Sequence, residues 1–344
     1  MTMQTGSVAS ARPDDQDSRR LRFRAMGTDV EIIVVGHPDL AAELVQRARS
    51  RVDQLEQRWS RFLPDSEVSL LNRCAGATVT VSDETVVLVR VAIEAWRLSG
   101  GSVDPTVLGA LIRAGYDRSF DELGTDPDPV SSWLLPGCGD IAVDGNAVRM
   151  PAGTGFDPGG IGKGLAADVV AGEMMQGGAD GVCVNLGGDL RVIGAAPQAG
   201  GWTVAVEHPW SDAAVAHVGL ADGALATSTT LRRTWRVDGE VRHHLIDPAT
   251  GRPSDTDLTS VTVVAGTAWV AEVLAKAVLL RGSAHPFDLV GGLSVDALAV
   301  DDRGRIAVSD GFPDYVGSAA LPATIAMSTE QVHPSSRRPQ KEHR

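Results

Sequence analysis

The sequence predicts an α+β fold in which hairpins alternate with long helices. Two observations carry that reading. Apolar residues recur at helical spacing, as in Leu40, Leu44, Val45, Ala48, Val52, Leu55 and Trp59, which is one face of an α-helix. Apolar runs also come in pairs around Asp-Gly turns, as in residues 141–150 and 234–246. Such pairs mark antiparallel hairpins rather than the single strands of a parallel sheet. The length suits one large domain or two intimately packed αβ halves.

Residues 1–20 are polar and read as a disordered lead. Residues 21–35 are strand-like, broken at Met26-Gly27-Thr28. His37-Pro38-Asp39 starts the helix that ends near Trp59, and a brief helix closes at Arg73. A short strand spans 78–81. Ser82 caps the next helix, which stops at Gly100-Gly101. Asp104-Pro105-Thr106 opens a loop and a second short helix, and residues 119–139, rich in Pro, Asp and Gly, read as an excursion. A hairpin turns at Asp144-Gly145, and a helix follows from Leu165 to about Met175. Residues 182–193 read strand, bend, strand. Strands are expected over 202–206 and 215–220, a hairpin around Asp238-Gly239, a strand over 258–265, a helix over 267–280 and a last hairpin around Asp302-Arg303-Gly304. The domain is expected over 21–327, with a polar, basic tail over 328–344.

A net charge of −13 argues against nucleic acid or an anionic membrane as the main partner, since both need a basic face. No apolar run is long enough for a membrane span. Cys74, Cys138 and Cys183 are odd in number and far apart, which indicates neither a disulfide framework nor a CxxC metal site. The lead has no apolar core and no lipoprotein-type cysteine, so a cytoplasmic location is expected.

The stretch Gly155 to Asp168 holds five glycines and Lys163 ahead of a helix. Glycines let backbone N–H groups approach a ligand, and a helix N-terminus and a lysine add positive charge. That describes a phosphate or pyrophosphate site, although a tight turn would use the same glycines. Walker A fails, because Asp157 stands where its first glycine belongs and Gly164 follows Lys163. Gly162-Lys163-Gly164-Leu165-Ala166-Ala167 matches a dinucleotide fingerprint formally, but no buried strand leads into it. Asn185-Leu186-Gly187-Gly188-Asp189 is either a tight corner or a second backbone approach to the same ligand. His243 and His244 alternate along a strand, so only one of them should face a site. Glu272 and Lys276, at i and i+4, are either a helical ion pair or parts of a site near a phosphate.

In joint order and spacing these stretches resemble the FAD:protein FMN transferase (ApbE) family. The segments are Met26-Gly27-Thr28, Ser60-Arg61-Phe62 with Ser66-Glu67 and Asn72-Arg73, Asp104-Pro105-Thr106, Asp157 to Gly164 with Asp168, Asn185 to Asp189, His244 to Pro248 with Thr250-Gly251 and Pro253, and the helix at Ala271. The chain looks like an actinobacterial member without an export signal. The resemblance implies a single ApbE-like (T-fold-like) α+β domain of antiparallel sheets with packed helices. It implies FAD as substrate and magnesium as metal. FMN is joined by a phosphoester to a Ser or Thr of a target flavoprotein, and AMP leaves. An FAD pyrophosphatase, or a non-catalytic FAD-binding protein, would use the same site. By the same resemblance the FAD contacts fall at Met26; at Phe62, Ser66 and Glu67; at Asp104 and Thr106; at Asp157, Gly160, Ile161 and Lys163; at Asn185, Gly187, Gly188 and Asp189; and at His244, Ile246 and Asp247. His244 is the implied base and Lys163 the catalytic cation, with Gly162 and Glu272 as metal ligands.

Two residues depart from the family pattern. Glu272 replaces an Asp of the late helix, and Lys276 stands at a ligand position usually held by Thr. A protonated lysine cannot ligate a cation. It must point away, pair with Glu272 or the FAD phosphates, or replace the metal.

Overall fold

The computed structural model describes residues 17–120, 137–211, 213–237 and 239–316. Most of the expected lead, most of the excursion and the whole tail lie outside them. β1 (Ser18–Ala25) and β2 (Thr28–Val35) form a hairpin. Its turn residues Met26 and Gly27 both have positive φ, 51° and 65°, the turn that matches strand twist. The strand starts at Ser18 rather than residue 21, because Ser18, Arg19 and Arg20 continue the ladder opposite Val35, Val34 and Ile33.

α1 (Pro38–Trp59) buries the predicted stripe, with Ala41 in place of Leu40 at its start. α2 (Glu67–Arg73) is capped by Ser66. β3 (Thr78–Thr80) joins the hairpin of β4 (Ala142–Asp144) and β5 (Ala147–Arg149). α3 (Asp83–Leu98) lies beside it, capped by Ser82, and α4 (Leu108–Arg113) is the short helix after Asp104.

α5 (Gly162–Gln176) begins earlier than the predicted Leu165. Pro158 O accepts the N–H groups of Ile161 at 2.9 Å and Gly162 at 2.7 Å, so the last glycines of the loop already form the first helical turn. β6 (Gly181–Leu186) and β7 (Asp189–Gly194) form a hairpin, as do β8 (Trp202–Glu207) and β9 (Ala214–Leu220). β10 (Gly223–Thr229) escapes sequence reading. Its Ala-Leu-Ala-Thr-Ser-Thr run is small and mostly buried, and a strand covered on both faces shows no alternation.

β11 (Thr234–Val237) and β12 (Glu240–His243) form the expected hairpin, and β13 (Ile246–Asp247) pairs with β14 (Arg252–Pro253). β15 (Leu258–Ala265), α6 (Ala268–Arg281), β16 (Asp296–Asp301) and β17 (Ile306–Val308) complete the described chain, with a 3-10 turn at Phe312–Tyr315.

Eight strands form one antiparallel sheet in the order β1-β2-β6-β7-β10-β15-β16-β17. The two αβ halves share it. β1, β2, β6 and β7 carry α1 and α5, and β10, β15, β16 and β17 carry α6. They meet where β7 pairs β10. Strand alternation divides the core. Val30, Ile32 and Val34 of β2 face the helices, while Ile33 and Val35 join Trp202, Val206, Val218 and Phe312 on the other face. α5 and α6 cross closely at Gly164, where a Cβ would stand 2.5 Å from Ala268 O. Asp168 locks that crossing, accepting the N–H groups of Ala268 at 2.8 Å and Trp269 at 3.0 Å and so capping α6 from α5.

Candidate functional site

At the helix-covered side the loops before α5 and α4 and the segments around β12 enclose a cavity of about 360 Å³, within the usual size of a small-molecule site. Its floor is Pro158, Gly159, Gly160, Ile161, Gly162 and Lys163. The glycine stretch therefore opens onto a cavity with the first turn of α5 pointing into it. Of the other residues expected there, Met26, Phe62, Asp104, Asp157, His244, Ile246 and Lys276 also line it.

Beneath the floor lies a buried charge cluster. Lys163 Nζ contacts Asp189 Oδ2 and lies 3.1 Å from Glu272 Oε1. Lys276 Nζ lies 3.2 Å from the same Glu272 oxygen and donates to Gly160 O at 3.3 Å. Glu272 Oε2 accepts Gly164 N–H at 2.8 Å. Two ammonium groups thus face two carboxylates. Burial pulls the Lys163 ammonium down to about 8, with Glu272 opposing that shift and Lys276 adding to it. The two lysines hold Glu272 ionised against its own burial.

His244 lines the cavity, and its Nδ1 is buried with no hydrogen-bond partner among the described residues. Burial holds its imidazole neutral, well below its ordinary range, and the nearby cations Arg233 and Lys276 add to this. His243 faces the other way. Its Nε2 meets Ser254 O at 3.1 Å and its Nδ1 accepts Leu245 N–H at 3.3 Å. β12 ends at His243, so His244 lies just past the strand, and of the two rings only that of His244 lines the cavity.

One wall is aromatic. The Arg61 guanidinium lies 4.1 Å from the Phe62 ring centre and 4.6 Å from that of Tyr116, a cation–π arrangement. It is fixed by Asp157 at 3.3 Å and by the Tyr116 carbonyl at 3.0 Å. Arg61, Tyr116, Glu56 and Arg233 line the cavity without having been singled out in the sequence as site residues. Arg61 stood inside the quoted Ser60-Arg61-Phe62 segment, which was its one signal. Glu56 accepts Met26 N–H at 2.7 Å and thereby holds the left-handed turn at the cavity edge.

Other expected contacts lie outside the lining. Ser66 accepts Ser69 N–H and donates to Ser60 O, capping α2. Glu67 accepts from Ser82 N–H at 2.9 Å, Ser82 Oγ and Thr85 Oγ1, holding the start of α3. Thr106 is 2% exposed and accepts Gly137 N–H at 2.7 Å, and it donates to Asp104, whose carboxyl burial pushes up. Asn185, Gly187 and Gly188 form the β6–β7 turn, with Asn185 Oδ1 accepting Gly188 N–H at 2.8 Å. They are the tight corner rather than a cavity wall. Asp189 acts from below through Lys163, and Asp247 accepts Ala249 N–H within its own turn.

The donor set does not fit a divalent metal. Magnesium asks for about six oxygen ligands in octahedral geometry. Both Glu272 oxygens are already occupied by N–H groups, and the Lys276 ammonium faces the same carboxylate and the loop carbonyl of Gly160. Among the described residues no group of three or more His, Cys, Asp or Glu is placed to hold a metal ion.

The model of the ApbE family matches residues 26–299. The chain belongs to the ApbE family. An FAD:protein FMN transferase of Vibrio cholerae is 28% identical over 306 residues, covering 86% of this chain and 90% of that protein. One of Treponema pallidum is 30% identical over 290 residues, covering 77% and 79%. The crystal structure of the ApbE protein of Thermotoga maritima superposes with a TM-score of 0.78 at 27% identity, covering 87% of this chain and 99% of that one. The α+β architecture of this ApbE-family chain is therefore that of its relatives, and among the described residues no helix is long and apolar enough to cross a membrane.

Proposed function

We propose that this chain is an FAD:protein FMN transferase. The observation that carries the reading is the convergence, on one cavity, of the glycine loop, the first turn of α5, Lys163, Lys276 and a neutral His244. The names of its relatives agree with it. In the proposed reaction the hydroxyl oxygen of an acceptor Ser or Thr attacks the FMN-side phosphorus of FAD. A new P–O bond forms there, and the bridging P–O bond breaks with its electron pair passing to the AMP phosphate. The hydroxyl proton goes to His244, which is suited to accept it because burial keeps the ring neutral.

Negative charge gathers on the phosphate oxygens during that step. Preorganised N–H groups and lysines stabilise it most where water is excluded. The flavin is assigned to the wall of Phe62, Arg61 and Tyr116, where ring area and a guanidinium plane supply the contact. The target is a flavoprotein that presents a Ser or Thr segment. A cytoplasmic setting belongs to the same proposal, with the three free thiols Cys74, Cys138 and Cys183 as its support.

Mixing the purified protein with FAD and a candidate acceptor protein tests the reading. A covalently fluorescent acceptor supports it. Release of FMN and AMP without labelled acceptor makes the chain a pyrophosphatase, and bound, uncleaved FAD makes it a carrier.

A further inference from the structure

We propose that the Lys276 ammonium is a built-in cation that takes the place of a divalent metal at the diphosphate-cleaving site. The proposal rests on the FAD reading given above. Three observations point to it. Lys276 reaches the cavity from α6 while its Nζ is anchored 3.2 Å from Glu272 Oε1 and 3.3 Å from Gly160 O. Both oxygens are of the kind a metal would use, and an N–H donor fills each.

Second, the loop is shaped around the lysine. A Cβ on Gly160 would stand 3.2 Å from Lys276 Cε and 3.3 Å from its Cδ, so the absent side chain leaves the channel through which the stem passes. Third, the cluster is electrically closed before any ion enters. Lys163 and Lys276 balance Asp189 and Glu272. A dication added there would meet two ammonium groups at contact range with no uncommitted carboxylate among them, and like charges at such distances repel by several kcal/mol even when screened.

The anchored ammonium performs part of a metal's task. It presents fixed positive charge to the phosphate oxygens as the P–O bond to the acceptor forms and the bond to AMP breaks. It supplies no activated water and needs none, because the nucleophile is the acceptor hydroxyl and His244 takes its proton.

The test is a fluorescence titration of FAD onto wild-type protein, in EDTA and in excess magnesium chloride, with AMP release and flavin labelling of an added Ser/Thr acceptor protein followed in parallel. Wild type should bind FAD equally in both conditions and cleave it in EDTA. Lys276→Met should bind FAD about tenfold to a hundredfold more weakly, the range of one lost charge-assisted hydrogen bond, with Lys276→Arg recovering part of it. Lys276→Asp should acquire magnesium-dependent FAD binding. Wild-type binding or cleavage that EDTA abolishes and magnesium restores overturns the proposal, and that arm needs no variant to fold. Lys276→Met binding FAD as tightly as wild type overturns it as well. If FAD binds but is never cleaved, the transferase reading fails while the binding arm still decides the role of Lys276. A protein that binds no FAD in either condition overturns both.

Discussion

The carboxylate of Glu272 accepts the backbone N–H of Gly164 at 2.8 Å, tying α6 to the first turn of α5. Its other oxygen faces Lys163 and Lys276 at 3.1 and 3.2 Å, and the residue is 1% exposed. Glu272→Ala leaves two ammonium groups opposite Asp189 alone. Removing one partner of a buried ionic group costs about 3–5 kcal/mol. Urea unfolding of E272A is expected to show that loss, with Glu272→Gln, which can still accept from Gly164, losing less. A loss below about 1 kcal/mol in E272A would mean that the cluster does not hold the two helices together.

His244 and His243 separate chemistry from scaffold. His244→Ala should leave FAD affinity within a few-fold of wild type and lower transfer by about 10²–10⁴, the usual contribution of a general base. His243→Ala loses its contact with Ser254 O and should cost about 1 kcal/mol of stability with transfer largely kept. The pH profile adds a second readout. Because His244 titrates well below its ordinary 6.5, the acid limb of the transfer rate should fall below pH 6.5. Folding responds in the same window. The unfolded ring binds a proton as pH drops through 6.5 and the folded ring does not, so stability falls on acidification there. H244A should lack that part of the slope.

Asp168 gives the opposite sign. Burial pushes its carboxyl up to about 6 from 3.8, against the pull of the Ala268 and Trp269 N–H groups it accepts. Between those values the folded state holds more protons than the unfolded state, so Asp168 makes stability decrease as pH rises from about 4 to about 6, and adds no slope above that. The difference between wild type and Asp168→Asn in thermal melts over this range should carry that slope. Asp168→Ala should lose a further ~1–2 kcal/mol at neutral pH, because α6 then starts without its cap. A pH-independent difference between wild type and D168N would place the carboxyl at its ordinary value.

Much of the scaffold was legible in the sequence because its signals are local. The α1 stripe, the Ser66 and Ser82 caps and the Asp144-Gly145 turn are each settled within a few residues. β10 was not, since Ala224, Ala226 and Thr227 carry no alternation once both faces of the strand are covered. In the candidate site, the glycine loop and His244 were visible as chemistry. The Arg61 stack was not, because Tyr116 reaches it across the fold and nothing at either position announces the other. Ser66 and Glu67 misled for a related reason. A motif records that residues belong together, and capping α2 and α3 is as good a reason for that as touching a ligand. The fate of Lys276 needed coordinates, since pairing with Glu272 and facing the cavity are both compatible with i, i+4 spacing.

The two glycines of the β6–β7 turn give a prediction in which neighbouring substitutions part ways. Gly187 and Gly188 both have positive φ, 68° and 101°, so an L side chain is strained at either. At Gly188 an added Cβ meets nothing within 4 Å, whereas at Gly187 it would stand 2.0 Å from Thr28 Oγ1 and 2.9 Å from Thr28 Cβ. Gly188→Ala should therefore cost about 1–2 kcal/mol, the backbone term alone. Gly187→Ala adds an overlap that only a shift of the β1–β2 hairpin can relieve, and should cost roughly twice that or more. Thr28→Ala removes the nearest clashing atom but leaves its Cβ in place, so the double variant should regain part of the Gly187→Ala loss, a coupling that a double-mutant cycle reads directly. Met26 and Gly27 sit beside Thr28 at the cavity edge, so Gly187→Ala should also weaken FAD binding while Gly188→Ala leaves it unchanged. Equal melting temperatures and equal FAD affinities for the two single variants would show that the turn packs more loosely against Thr28 than its geometry requires.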